Sequence, residues 1–243
     1  MPLLGIVLVA LQIFFAVHAI RNGKDPIWIW IIILAPGIGC AIYFITQFGP
    51  QAANSRTARQ AKNTLIRAVD PRRELRNRME LLEISNTVEN RVGLADECVE
   101  AGLYAEAISL YNDALVGVHA DDPGIMEKRA VAQFKHDEPE KTLQTLDVLI
   151  EKNPQYKSSD AHLLYARALQ ALDKIDEALE EYEVLRNSYP GEEARVRYAQ
   201  LLQQRGDEKQ ADELFKETLL RIKRAPKHYA KKEREWLKIA ERG

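Results

Sequence analysis

One pattern recurs four times between Thr87 and Pro226, and it restricts this chain to a narrow set of folds. Ala107, Thr142, Ala178 and Ala211 are small residues spaced 35, 36 and 33 positions apart. Four residues after each stands a bulky one: Tyr111, Leu146, Tyr182 and Phe215. Twelve residues before each stands an alanine: Ala95, Ala130, Ala166 and Ala199. Asn153-Pro154 and Tyr189-Pro190 close two of the copies. Pro123 and Pro226 are displaced in the first and last, which predicts longer connections there. A period of this length holds one helix–turn–helix unit. A lone helix pair cannot bury its apolar face, so neighbouring pairs stack. The small residues then mark close approaches of two helices, the bulky ones fill the space between pairs, and proline ends the second helix. The competing reading of the same helical pattern is an irregular all-helical bundle.

The four copies resemble tetratricopeptide (TPR) repeats. That resemblance implies a solenoid in which the first helix of each pair lines a groove for protein segments. In this register the candidate groove residues are Val92, Asp96 and Val99 in the first copy and Glu127, Val131 and Phe134 in the second. Leu163, Arg167 and Gln170 follow in the third, and Val196 and Gln200 in the fourth. The surface is apolar in patches and acidic toward the first copy. TPR grooves that clamp a C-terminal carboxylate use Lys and Asn at repeated positions. Those are missing here, so a helical or extended peptide with apolar anchors and some basic residues is the expected partner. Against this stands the plainer reading that Phe134 and the valines pack between repeats.

Ahead of the repeats lie two apolar runs. Leu3–Ile20 is interrupted only by Gln12 and His18, and Ile27–Phe48 opens with Trp28 and Trp30. Each has about the length of a helix that crosses a bilayer, and the tryptophans suit an interface belt. The turn between them, 21–26, is short and polar. A cleavable signal peptide is the competing reading of the first run, but Met1–Gly5 has no basic residue and a second apolar run follows directly. Trp30, Pro36, Gly39 and Tyr43 within their apolar stretch resemble the N-terminal membrane hairpin ahead of phospholipase D-type cardiolipin synthases. The catalytic His-x-Lys signature of those enzymes is absent, so the resemblance implies an anchor without lipid chemistry.

Charge is strongly segregated. Residues 1–86 carry 10 basic and 5 acidic side chains, 87–220 carry 15 and 28, and 221–243 carry 9 and 3. Such asymmetry concerns partners more than fold. Arg56, Arg59, Lys62 and Arg67, directly after the second run, are candidate lipid-facing residues for anionic headgroups. The same charges serve equally as a solvated linker that fixes topology. By the positive-inside rule they place both termini in the cytoplasm, which predicts a multi-pass inner-membrane protein with a cytoplasmic solenoid. The arginines of 72–78 lack aromatic interleaving, which argues against nucleic acid.

The expected fold is all-α. It comprises a two-helix transmembrane hairpin (1–50), a basic juxtamembrane linker and capping helix (51–86), a TPR-like α-solenoid of about four repeats (87–226), and a C-terminal basic capping helix (227–243). Cys40 and Cys98 form no Cys-x-x-Cys pair and read as packing residues. No phosphate loop, nucleophile elbow or zinc motif is present, so no catalytic, cofactor or metal residue is nominated and no small-molecule substrate is expected. As a whole the chain resembles bacterial membrane-anchored TPR proteins. That implies a scaffold or adaptor, with an accessory subunit or regulator of a membrane lipid or envelope-biogenesis enzyme, acting through the hairpin, as the alternative.

Overall fold

The computed structural model describes residues 2–35, 37–48, 70 and 72–243, and all regular elements among them are helical. The chain divides into two units, Met1–Arg73 and Glu74–Gly243, taken separately below. The candidate basic residues Arg56, Arg59, Lys62 and Arg67 lie outside the described residues.

In the first unit the polar turn after α1 (Pro2–Arg21) reverses the chain at Gly23, φ 60°, and leads into α2 (Ile27–Leu34). The second apolar run was expected to be one long span, and it is not. α2 gives way to α3 (Ile38–Tyr43) and then to a π-helical turn, Phe44–Phe48. The reason is Pro36-Gly37. Proline has no N–H to give the carbonyl of Ile32, and Gly37 at φ 91° adopts a conformation that leaves the helix. Among the described residues, no helix is long and apolar enough to cross a membrane. The two continuous spans expected of the transmembrane hairpin are therefore corrected to a helical hairpin whose second arm is broken.

Both polar interruptions of α1 pair with that arm. Gln12 Nε2 donates to the Ile32 carbonyl at 2.8 Å, the acceptor orphaned by proline at 36, and His18 Nδ1 meets the Tyr43 hydroxyl at 2.9 Å. Phe15, Ala19, Ile32, Cys40 and Tyr43 form the small core. A Cβ on Gly39 would lie 2.2 Å from the Ile31 carbonyl oxygen, so only glycine permits this junction of α2 and α3.

The second unit opens with α4 (Arg73–Ile84). Four antiparallel pairs follow: α5 (Val88–Glu100) with α6 (Tyr104–Ala114), α7 (Pro123–Lys135) with α8 (Pro139–Lys152), α9 (Ser159–Ala171) with α10 (Ile175–Ser188), and α11 (Glu193–Arg205) with α12 (Glu208–Arg224). The twelve residues that set the repeat register are all at most 3% exposed. The periodicity thus marked the core directly, in three successive apolar clusters along the stack.

Capping explains the boundaries. Thr87, Asp122 and Ser158 each accept a backbone N–H three residues on, at 3.0–3.2 Å, and so start α5, α7 and α9. Each pair turns through a left-handed residue five positions before the small register residue: Gly102, Asp137, Asp173 and Gly206, φ 60–93°. In all four turns the next N–H reaches back five residues, as in Leu103→Cys98 and Asp207→Leu202. This is the Schellman closure.

The connection after the first pair is long, as expected, and contains a 3₁₀ turn at Gly117–His119. The one expected after the last pair is absent. There α12 runs for 17 residues, and Ala225 and Pro226 alone join it to the next helix. α4 packs Leu75 and Leu82 on the first cluster and leaves Met79 exposed. The C-terminal segment was expected as one helix but forms two, α13 (Lys227–Lys232) and α14 (Arg234–Ala240), broken at the buried Glu233. Ala240 is buried in the last cluster and Trp236 is half-buried against it, so the segment caps the fourth pair.

Candidate groove on the first helices

The candidate positions lie on α5, α7, α9 and α11, and the structure sorts them into three groups. Asp96, Val99, Glu127 and Val131 come together in a depression of about 530 Å³, with Glu97, Glu100, Lys128 and Lys135 around it. Phe134, Arg167 and Gln170 continue across α7 and α9. Leu163 and Val196 do not belong to the surface: they are 4% and 0% exposed, and the groove assignment is corrected for both. They sit three residues before Ala166 and Ala199, a position that the stacking of the third and fourth pairs turns into the core. Val92 and Val99 pack against the first apolar cluster, and Val131 and Phe134 against the second, so these four serve core and surface together. Gln200 is half-buried.

Polar groups in the depression are held by the repeats themselves. Asp96 accepts from the Tyr111 hydroxyl at 2.7 Å and from Lys128 Nζ at 2.7 Å. Glu127 accepts from the Tyr156 hydroxyl at 2.6 Å and from the Ser158 hydroxyl at 2.9 Å. The Glu127 contact pushes the Tyr156 hydroxyl up to about 12, with burial adding to it. Burial first, and then the Asp96 carboxylate, raises the Tyr111 hydroxyl well above the phenol range. Tyr182 likewise reaches out of the core and donates to Gln170 at 3.0 Å. Asp96 and Gln170 are thus partners of the bulky register tyrosines. The signal was present in the sequence: two of the four bulky residues carry a hydroxyl, and a buried hydroxyl needs an acceptor.

Farther along, the surface becomes cationic and aromatic. The Arg167 guanidinium lies 4.8 Å from the Phe134 ring centroid, and that of Arg197 lies 5.1 Å from Trp236. Between them stands Glu193, whose Oε1 is 2.8 Å from Arg197 Nε and 3.8 Å from Arg167 Nη1. Burial, reinforced by Arg197, lowers the Arg167 pKa, and Glu193 opposes both. Arg197 and Trp236 were not among the candidate residues. The Glu193–Arg197 spacing of four on one helix was legible, but the approach of α14, which brings Trp236 onto Arg197, was not.

A buried polar cluster ties the C-terminal cap to the fourth pair, and the repeat pattern gave no hint of it. Glu192 is fully buried at the start of α11, where the other pairs have Thr, Asp or Ser. Its carboxylate accepts from Arg195 Nη1 at 2.5 Å, Tyr229 at 2.8 Å and Arg221 Nε at 3.1 Å. Its backbone N–H donates to Glu233 Oε2 at 3.0 Å. Arg195 also donates to the Arg186 carbonyl. This cluster fixes the cap that presents Trp236. Among the described residues, no group of three or more His, Cys, Asp or Glu is placed to hold a metal.

Comparison with known proteins agrees with this architecture. The family model described as "Tetratricopeptide repeat" matches residues 160–191, the third pair and its closing turn. No curated protein sequence matches the chain. Among solved structures, a crystal structure of MamA aligns with 60% of this chain and 84% of its own at 22% identity, TM-score 0.52. MamA 41-end from Desulfovibrio magneticus RS-1 aligns with 66% and 90% at 16% identity, TM-score 0.55. At these identities the likeness is one of fold: the second unit is an α-solenoid of the TPR type.

Proposed function

We propose that this protein is a protein–protein interaction scaffold that takes a peptide segment of a partner along α5, α7, α9 and α11. The observation that carries this reading is the run of partly exposed side chains on those helices and on α14. It extends from the 530 Å³ depression past Phe134 and Arg167 to Arg197 and Trp236. TPR-type solenoids supply extended surfaces of this kind. The same surface offers no paired acid and base and no activated nucleophile, so the reading is non-enzymatic. The reading also places the N-terminal hairpin in the apolar region of a membrane, with the solenoid on the cytoplasmic side. Support comes from its outward-facing residues: Ile13, Trp30, Leu34, Ile38 and Ile45 are each at least 60% exposed, while Gln12 and His18 turn inward to partners.

A crosslinking pull-down tests the groove. It compares the wild type with a variant carrying Phe134→Ala and Arg167→Glu whose helical circular dichroism is unchanged. A partner lost from the variant supports the scaffold; a partner retained moves recognition elsewhere. Carbonate extraction of membranes tests the anchor: release of the full chain into the soluble fraction would remove it. The exposed apolar hairpin also favours a second reading, an accessory subunit or regulator of a membrane lipid or envelope-biogenesis enzyme that docks through the hairpin. Deletion of 1–50 separates the two, since only the second reading loses its partner.

A further inference from the structure

We infer that Arg167 and Arg197 form a subsite for an acidic side chain inside a partner peptide, and that Glu193 occupies it as a built-in competitor. The inference rests on the groove reading and specifies what the groove recognises there.

Three observations converge. First, both guanidiniums are laid on aromatic faces, Phe134 and Trp236, at 4.8 and 5.1 Å. Stacking fixes the plane of each fork and leaves its edges for hydrogen bonding. Second, two cations share one carboxylate, and share it unequally: the same oxygen lies 2.8 Å from Arg197 and 3.8 Å from Arg167. Arg167 is therefore the weakly neutralised member, and the triad keeps a net positive charge. Third, the group stays open to solvent, with side-chain exposures of 33% for Arg167, 26% for Arg197 and 20% for Glu193. A second carboxylate that entered here would complete the charge balance and form charge-assisted bonds with Arg167.

The resident ligand indicates the class of the incoming one. Glu193 shows that a carboxylate on a short flexible stem fits between the two arginines. A chain terminus asks for more, namely donors for both oxygens and contacts to the last amide. The asparagines that supply these in other TPR grooves have no counterpart on α9 or α11. At the other end of the groove, Glu97 and Glu100 around the depression give the opposite sign. The two ends together set a direction for the peptide, with its acidic residue toward the C-terminal cap.

The test is calorimetric titration of the full chain in detergent micelles with four peptides, three of them blocked at both ends. Three alternate leucine and serine around one central residue, Glu, Gln or Lys, and carry an acetyl and an amide end. The fourth has central Gln and a free C-terminal carboxylate. The Glu peptide should bind roughly tenfold tighter than the Gln peptide. Arg167→Gln should abolish that preference, and Glu193→Gln should enlarge it by roughly threefold, because the internal competitor is gone. A Glu193→Gln variant that binds the Glu peptide no tighter overturns the inference. So does equal binding of the Glu and Gln peptides, or preferential binding of the free-terminus peptide. If the peptides bind alike and all lose affinity on Phe134→Ala, the groove stands and the acidic subsite falls. If none binds, both fall.

Discussion

Replacement of Glu192 by alanine should detach the C-terminal cap, and the structure gives the size of the effect. Glu192 is 0% exposed and is the nearest carboxylate to Arg195, itself 2% exposed. Removing it leaves a guanidinium buried with the Arg186 carbonyl and the half-exposed Glu217, whose carboxylate stands 3.6 Å away. Breaking a buried pair from one side costs about 3–5 kcal/mol, mostly the desolvation of the charge left behind. Two of the carboxylate's three donors recover part of their loss. The Arg221 side chain is 50% exposed and Tyr229 is half-buried, so both rehydrate. A net loss of about 3 kcal/mol is expected for Glu192→Ala, and a smaller one for Glu192→Gln, which still accepts hydrogen bonds. The double variant Glu192→Leu with Arg195→Met removes both charges and should be milder than Glu192→Ala by at least about 1 kcal/mol. The assay is amide hydrogen exchange of the full chain, read separately over α11–α14 and α5–α8. Protection should fall at the C-terminal end and persist at the N-terminal end, because repeats couple mainly to their neighbours. A double variant as unstable as the single would refute the reasoning, as would uniform loss of protection along the stack.

Three further outcomes follow from other parts of the molecule. Asp137→Gly and Asp173→Gly relieve left-handed aspartates and should each raise the urea midpoint by the equivalent of about 0.5–1 kcal/mol, while Gly102→Ala and Gly206→Ala should lower it by a similar amount. Burial holds the Tyr182 hydroxyl up at about 12, against 10.0 for a free tyrosine. Its contribution is complete below pH 10 and is lost as pH rises from 10 to 12. Unfolding midpoints measured across that window should therefore drop less steeply for Tyr182→Phe than for the wild type, by about 2–3 kcal/mol in total. In the hairpin, Gln12→Leu leaves the Ile32 carbonyl without its donor and should cost about 1–3 kcal/mol, seen as faster proteolysis of the 22–26 turn; an unchanged rate would mean that water replaces the amide.

The solenoid was legible because its signal repeats. One small–small–bulky register, read four times, named twelve residues that all proved buried, and an irregular bundle would have scattered them. The left-handed turn position was equally periodic and went unread, because aspartate replaces glycine in two of the four copies. Aspartate tolerates positive φ through local hydrogen bonding, so composition alone hides it. Leu163 and Val196 were misplaced for a related reason. Helical phase says which face a residue shares, but how far the next repeat overlaps that face is a tertiary quantity. The break in α2–α3 was visible in Pro36-Gly37 and underrated beside the length of the apolar run. Glu192, Glu233, Arg221 and Tyr229 could not have been joined by reading. They come from four positions spread over 41 residues, and only the docking of α13 and α14 brings them together.

The three successive apolar clusters carry a mechanical consequence. A molecule with one core resists tension as a block. One held together by a succession of small cores behaves as a spring whose coils yield in turn. Load applied at the C-terminal end would first part α13 and α14 from the Glu192 cluster, and then open the stack cluster by cluster, the third and fourth pairs together. Each pair holds 33–36 residues, so each pair that opens would pay out roughly 110–130 Å of chain. Force–extension traces would then show a sawtooth whose largest tooth comes from the third and fourth pairs, which share one cluster.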